Sequence, residues 1–393
     1  MRLKNKIESE LYKKMGHDKN LNASKNPPSG GRGARIIIAG GGTGGHIFPA
    51  IAIANAILKQ EPQTEILFVG AKGKMEMEKI PQAGFKIEGL DIAGFNRSSL
   101  IKNIGLPFKL IKSFLQVRQI FKAFKPTAVI GVGGYSSYPV LRLAQAKGIP
   151  FFIHESNSFA GKANIMLGAK ATKIFVASDE MENFFPPKKI LLSGNPVRVS
   201  ISKSTVSREE GIKFFGLDPE KKTVLSVGGS LGAKSINEAL DGNLDLFAQN
   251  NLQLIWQTGK PYEAKGKEAA TGKTNIWVDD FINQMENAYA AADLVISRSG
   301  AMAIAELCVM KKAVVFVPFP FAAEDHQTVN AQNLVNKDAG IMIKDNEALA
   351  LLVPSIIALA KDENKQQELK SNISKLAVTN ADEIIATEIL KLI

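Results

Sequence analysis

From Ala34 onward the chain alternates short β-branched apolar runs with longer stretches of helical periodicity, an alternation that few folds satisfy. Strands that are apolar at nearly every residue must be covered on both faces. Interleaved helices supply that cover, so the pattern predicts parallel sheets in an α/β fold. The first series of expected strands spans 35–39, 65–69, 128–132, 151–154 and 173–177. It stops at the turn Gly194-Asn195-Pro196-Val197-Arg198, and a second series follows at 223–227, 253–257, 275–278, 294–297, 313–317 and 340–343. Two series of similar length predict two Rossmann-like, doubly wound domains facing each other. Ligands in such sheets bind beyond the carboxyl ends of the strands, so the loops there are the places to search for chemistry.

Those loops are rich in glycine. Strand 35–39 runs into Gly40-Gly41-Gly42-Thr43-Gly44-Gly45-His46, then into an apolar helix. Gly40, Gly42 and Gly45 satisfy the spacing of a dinucleotide fingerprint, but a nicotinamide site wants an acid ending the second strand, and Gly70-Ala71-Lys72 stands there instead. A glycine turn needs no histidine, so the loop reads as an anion or oxyanion cradle with Thr43 and His46 added. A second loop, Gly131-Val132-Gly133-Gly134-Tyr135, would flank the same crevice. The fourth strand ends in His154-Glu155-Ser156-Asn157, with Gly161 and Asn164 after it: either a general base with its positioning groups, or a satisfied buried network.

In the second series Gly228-Gly229-Ser230-Leu231-Gly232 repeats the strand, glycine turn and helix start. Ser230 there can donate to a phosphate oxygen. Arg298-Ser299-Gly300 opens a helix carrying Glu306, a candidate cradle in which the helix N-terminus takes a diphosphate and the carboxylate takes ribose hydroxyls. The alternative for Glu306 is a solvated helix face. Asp325-His326 carries metal-ligand side chains, but with four scattered histidines no metal or other cofactor is expected. The lone Cys308 permits no intramolecular disulfide.

Together these pieces resemble the MurG family of glycosyltransferases in family order over about residues 34–335. The resemblance rests on the loops quoted above, on Gly194–Arg198, on Arg298-Ser299-Gly300-Ala301 with Glu306, and on Asp325-His326-Gln327 with Asn330. It implies a GT-B fold and inverting transfer of N-acetylglucosamine from UDP-GlcNAc to the muramyl C4 hydroxyl of lipid I, without a metal. Donor-binding positions carried over are Thr43, Gly44, Gly45, Asn157, Arg198, Ser230, Ile282, Ala301, Met302, Glu306 and Gln327, supported by Tyr135, Asn164, Arg298, Ser299 and Asn330. His46 is the expected base, with His154 and Glu155 as alternative or partner. Ser156, Lys234 and Ala303 depart from the family's usual Gln, Arg and Thr; the last removes a hydroxyl near the expected diphosphate. The expected division is a flexible basic extension over 1–33, an acceptor domain over 34–198 completed by a helix at about 374–393, and a donor domain over 199–373. The competing readings are another GT-B glycolipid transferase, a non-catalytic UDP-sugar sensor and, behind them, a dehydrogenase.

The net charge of +11 is concentrated. Nine Lys/Arg face three acids within residues 1–35, and residues 92–153 hold nine Lys/Arg with no Asp or Glu. Without an aromatic-interleaved or helix-turn-helix module, nucleic acid is not an expected partner. Residues 107–125 read as a helix with apolar positions 110/111, 114/115, 117, 121 and 124 on one face and Lys109, Lys112, Arg118 and Lys122 beside them. The apolar face alone reads as core-facing. The charge is expected to dock the protein peripherally on the cytoplasmic, anionic face of the bacterial membrane, where the lipid-linked acceptor and other cell-wall synthesis proteins would meet it.

Overall fold

The structure is a computed structural model that describes residues 33–94, 105–229 and 231–393. The extension expected over residues 1–33 therefore lies, apart from Gly33, outside the described residues. Strands β1 Arg35–Ala39, β2 Glu65–Ala71, β3 Lys86–Leu90, β4 Ala128–Gly131, β5 Phe151–Glu155, β6 Lys173–Val176 and β7 Ile190–Leu192 form one sheet in the order β3-β2-β1-β4-β5-β6-β7. Strands β8 Lys222–Val227, β9 Leu252–Gln257, β10 Ile276–Asp279, β11 Leu294–Ser297, β12 Ala313–Phe316 and β13 Ile341–Met342 form the second, ordered β10-β9-β8-β11-β12-β13. Every pairing is parallel. Both orders reverse direction beside their first strand, at β1/β4 and at β8/β11, and those switch points open the crevices where ligands bind.

The apolar runs are explained by cover on both faces. Ile36, Ile37 and Ile38 are all fully buried, with Ile37 in one core and Ile36 and Ile38 in the opposite one. Strands β3 and β7 fall outside the expected set. Both are sheet edges; Lys86 and Glu88 of β3 are exposed, so its sequence lacks the continuous apolar run that marks an interior strand. At the other end of the chain, the Ala381–Leu392 helix places Ile385, Ala386 and Ile389 in the core that holds Ile53 and Ile57 of the Gly44–Gln60 helix. Lys59 and Glu383 pair at 3.0 Å beside that contact.

Candidate active site

Two glycine loops meet around His46. The histidine is in the first turn of the Gly44–Gln60 helix, whose N-cap is Thr43 and whose first turn holds no acid. Its Nδ1 lies 3.0 Å from the Gly41 carbonyl oxygen. A carbonyl cannot donate, so Nδ1 carries the proton and the lone pair is on Nε2. The Thr43 hydroxyl stands 3.5 Å from the same Nδ1. From the second loop Gly133 packs so closely that a Cβ there would lie 2.7 Å from Nε2 and 2.6 Å from Cδ2. Glycine at 133 is thus what makes room for the imidazole. Burial lowers the His46 pKa from 6.5; the Gly41 carbonyl and the charges of Glu155 and Glu76 oppose that shift. Tyr135 is half-buried near this loop, and its buried hydroxyl has no hydrogen-bond partner among the described residues.

His154 and Glu155 end β5, and their surroundings separate them from His46. His154 is 1% exposed, neither ring nitrogen has a partner of normal geometry among the described residues, and burial pulls its pKa down to about 4. It is neutral at physiological pH. Glu155 Oε1 accepts from the Asn157 backbone at 3.1 Å and side chain at 3.3 Å, while Oε2 accepts from Gly161 N at 2.9 Å and Asn164 Nδ2 at 2.8 Å. Four donors occupy both oxygens, so this carboxylate organises the loop from 156 to 164. The Glu155 carboxylate is satisfied, whereas His154 beside it is not.

In the second half Glu306 is no solvated face: it is 7% exposed. Arg198 Nη2 and Nε lie 2.8 and 2.9 Å from its Oε1, and the Tyr289 hydroxyl donates to Oε2 at 3.0 Å. Burial raises the Glu306 pKa, with Arg198 the main opposing influence. Arg198 also stacks over Phe48 of the first half at 5.7 Å. Arg298 is spent on bracing: it donates to the Val317 and Pro318 carbonyls at 2.9 and 3.0 Å and pairs with Asp345 at 2.6 Å. Ile282 is buried, and Ala301 and Met302 are half-buried at the start of the Ala301–Val309 helix, which has no acid in its first turn. Ser230 lies outside the described residues.

Asn157, Ser299, Gln327 and Asn330 form a polar seam between the halves. Asn330 Oδ1 accepts from Ser158 N at 2.9 Å, and its Nδ2 donates to Asn157 Oδ1 and the Ser299 carbonyl, each at 3.2 Å. Ser299 Oγ donates to the Gln327 carbonyl at 2.7 Å, and the Gln327 side chain accepts from Phe319 N at 3.0 Å.

Sequence reasoning missed Glu76, which begins the Glu76–Gln82 helix and is 1% exposed. Its Oε2 accepts from Gly42 N at 2.9 Å and its Oε1 from Ala71 N at 3.0 Å. This is an acid near the end of the second strand, as the dinucleotide fingerprint wants, but it is folded under the loop rather than offered to a ligand. A Cβ on Gly41 would meet its Oε1 at 2.2 Å, which is the local signal: a glycine in excess of what the turn needs.

The basic helix is Leu106–Phe124, and its apolar residues divide into two stripes. Val117 and Phe121 are buried with Leu110, Phe114 and Phe124 partly so, while Ile111 and Leu115 turn outward with Phe108, at 61, 58 and 75% exposure. Positions 111 and 115 lie one residue past the inward row, a rotation of about 100° on a helix. The single face expected from the sequence is therefore replaced by a core stripe and an exposed stripe. Lys109, Arg118 and Lys122 are exposed; Lys112 pairs at 2.9 Å with Asp91, the last acid before the acid-free span.

Residues 36–176 match the glycosyltransferase family 28 N-terminal domain and residues 223–385 its C-terminal domain. The UDP-N-acetylglucosamine--N-acetylmuramyl-(pentapeptide) pyrophosphoryl-undecaprenol N-acetylglucosamine transferase of Phocaeicola vulgatus is 53% identical, over 91% of this chain and 96% of that one. The protein of that name in Parabacteroides distasonis is 50% identical, over 91% and 98%. Among solved structures, Acinetobacter baumannii MurG matches with a TM-score of 0.74 at 30% identity, over 91% of this chain and 99% of that one. With these relatives and a pair of facing Rossmann-like domains, the chain belongs to the MurG family of glycosyltransferases and has the GT-B fold.

Proposed function

We propose that the chain transfers N-acetylglucosamine from UDP-GlcNAc to the C4 hydroxyl of N-acetylmuramyl-(pentapeptide) pyrophosphoryl-undecaprenol, with inversion. One observation carries the assignment of the base: the Nδ1–H of His46 is bound to Gly41, which leaves Nε2 as a lone pair where the two glycine loops meet. In the reaction the hydroxyl oxygen bonds to the sugar C1, its proton passes to Nε2, and the C1–O bond to the diphosphate breaks with its electron pair leaving on UDP. Charge growing on UDP is stabilised by helix N-terminal amides and by Arg198 and Ser230. Glu306 takes the ribose hydroxyls, and Ile282, Ala301, Met302 and Gln327 enclose the nucleotide and sugar. His154 and Glu155 shape the acceptor wall and do not move protons.

Residues 34–198 with the returning C-terminal helix form the acceptor half, and 199–373 the donor half. The exposed Phe108, Ile111 and Leu115 enter the interface of the anionic, cytoplasmic leaflet while Lys109, Arg118 and Lys122 meet its headgroups. His46→Ala tests the assignment. We expect kcat to fall by about 10²–10⁴ with UDP-GlcNAc affinity retained; equal turnover rejects it.

A further inference from the structure

The Glu76 carboxylate and the His46 imidazole are bound to opposite ends of one peptide unit. Gly42 N–H donates to Glu76 Oε2 at 2.9 Å, and the carbonyl of that same amide, on Gly41, accepts from His46 Nδ1 at 3.0 Å. We propose that Glu76 is a positioning residue that acts on His46 through the Gly41–Gly42 peptide, a carboxylate–amide–imidazole relay doing the work that a directly bonded carboxylate does in other base-activating triads. A negative acceptor on the N–H draws the amide's electron density toward its oxygen. The oxygen becomes a better acceptor for Nδ1–H, which fixes the tautomer and makes Nε2 the stronger base. No proton passes to Glu76: in the transfer step Nε2 gains the acceptor's proton and Nδ1 keeps its own.

The surroundings are built for this contact. The second oxygen of Glu76 is held by Ala71 N at 3.0 Å, so the carboxylate cannot swing away. A Cβ on Gly41 would strike Oε1, and one on Gly70 would lie 2.6 Å from the Glu76 Cγ. From the second loop, a Cβ on Gly134 would sit 2.5 Å from the Gly41 carbonyl oxygen. Glycines thus clear space at the carboxylate, at the bridging amide and at the imidazole. The other titratable groups facing His46 are His154 and Glu155 on β5 and His326 at the start of the His326–Val335 helix, with Tyr135 facing Glu76. Glu155 also favours the charged imidazole through space, but no peptide links the two.

The inference rests on His46 as the base, yet it is read first without turnover. Histidine-labelled full-length protein titrated by NMR reports the tautomer and pKa of His46, assigned by its loss in His46→Ala. The relay requires the Nδ1–H tautomer near neutral pH, and a Nε2–H tautomer overturns it in the unmodified protein. In Glu76→Gln the His46 pKa should fall by about one unit, and the acidic limb of the kcat pH profile should fall with it. Donor KM should stay constant. Gly70→Ala keeps the charge but pushes the carboxylate off Gly42 N–H, and should shift His46 the same way; Glu155→Gln, the through-space control, should leave the tautomer alone. An unchanged His46 pKa in both Glu76→Gln and Gly70→Ala rejects the relay. Retained turnover in His46→Ala instead rejects the base assignment and leaves the NMR result standing.

Discussion

Arg198 and Glu306 of the Ala301–Val309 helix hold each other, guanidinium to carboxylate at 2.8 Å. The two residues proposed to grip different parts of the donor, the diphosphate and the ribose, are each other's partner before it arrives. On that proposal donor binding is an exchange of partners in which the buried Glu306 carboxylate always keeps one, which avoids the cost of an isolated buried ion.

Glu306→Gln should weaken donor binding while sparing chemistry. Losing charge-assisted bonds to two hydroxyls costs about 1.5–3 kcal/mol, so KM for UDP-GlcNAc should rise by about 10- to 100-fold with kcat little changed. Steady-state kinetics with saturating acceptor measures it. An unaltered KM removes the ribose role.

Arg198→Ala should change how stability depends on pH. Burial already holds the Glu306 carboxyl above 4.5, and Arg198 opposes the shift. The folded state therefore binds that proton more tightly than the unfolded state, so this residue's contribution is most favourable below 4.5 and declines as pH rises through the raised value. Without Arg198 the decline should be larger and extend to higher pH, and Glu306→Gln should remove it. Melting temperatures across acidic to neutral pH report both; parallel curves for the parent and the Arg198 variant contradict the coupling.

Gly133→Ala puts a methyl group 2.7 Å from His46 Nε2 at a residue whose φ is +98°. The imidazole must shift, and a misplacement of about 1 Å costs on the order of 10² in rate. We expect that loss in kcat with UDP-GlcNAc affinity retained, measured by direct titration of the donor.

Replacing Phe108, Ile111 and Leu115 by Ser should remove the part of anionic-vesicle binding that survives high salt. Replacing Lys109, Arg118 and Lys122 by Gln should remove only the salt-sensitive part, at about 1 kcal/mol or less per cation. Lys112→Gln should matter less, because Asp91, which it shares with Lys72, already offsets part of its charge. Cosedimentation at two ionic strengths separates the three, and full binding by the Ser variant rejects the docking surface.

Interior strands were legible in the sequence because cover on both faces writes itself as an unbroken apolar run, as at Ile36–Ile38. The edges β3 and β7 were not: Lys86 and Glu88 break the apolar run of β3, and β7, Ile190-Leu191-Leu192, is only three residues long. The glycine loops and His46 were legible from local spacing. Glu76 was not, because its bonds reach Gly42, 34 residues away, and Lys-Met-Glu-Met-Glu-Lys looks like any helix start. The engagement of Glu306 by Arg198 was hidden in the same way: each residue was assigned to a ligand, and only the packing of the two halves shows them meeting.

The return of the Ala381–Leu392 helix to the first half also sets the order in which the protein can be made. While the ribosome is still translating the second sheet, the face of the Gly44–Gln60 helix around Ile53 and Ile57 lacks the partner that will cover it. The first half is synthesised first, yet its core is complete only when the last helix has been made. A chain cut short before Ala381 keeps Ile53 and Ile57 but lacks Ile385, Ala386 and Ile389, so the first half cannot complete its own core without the last helix of the second.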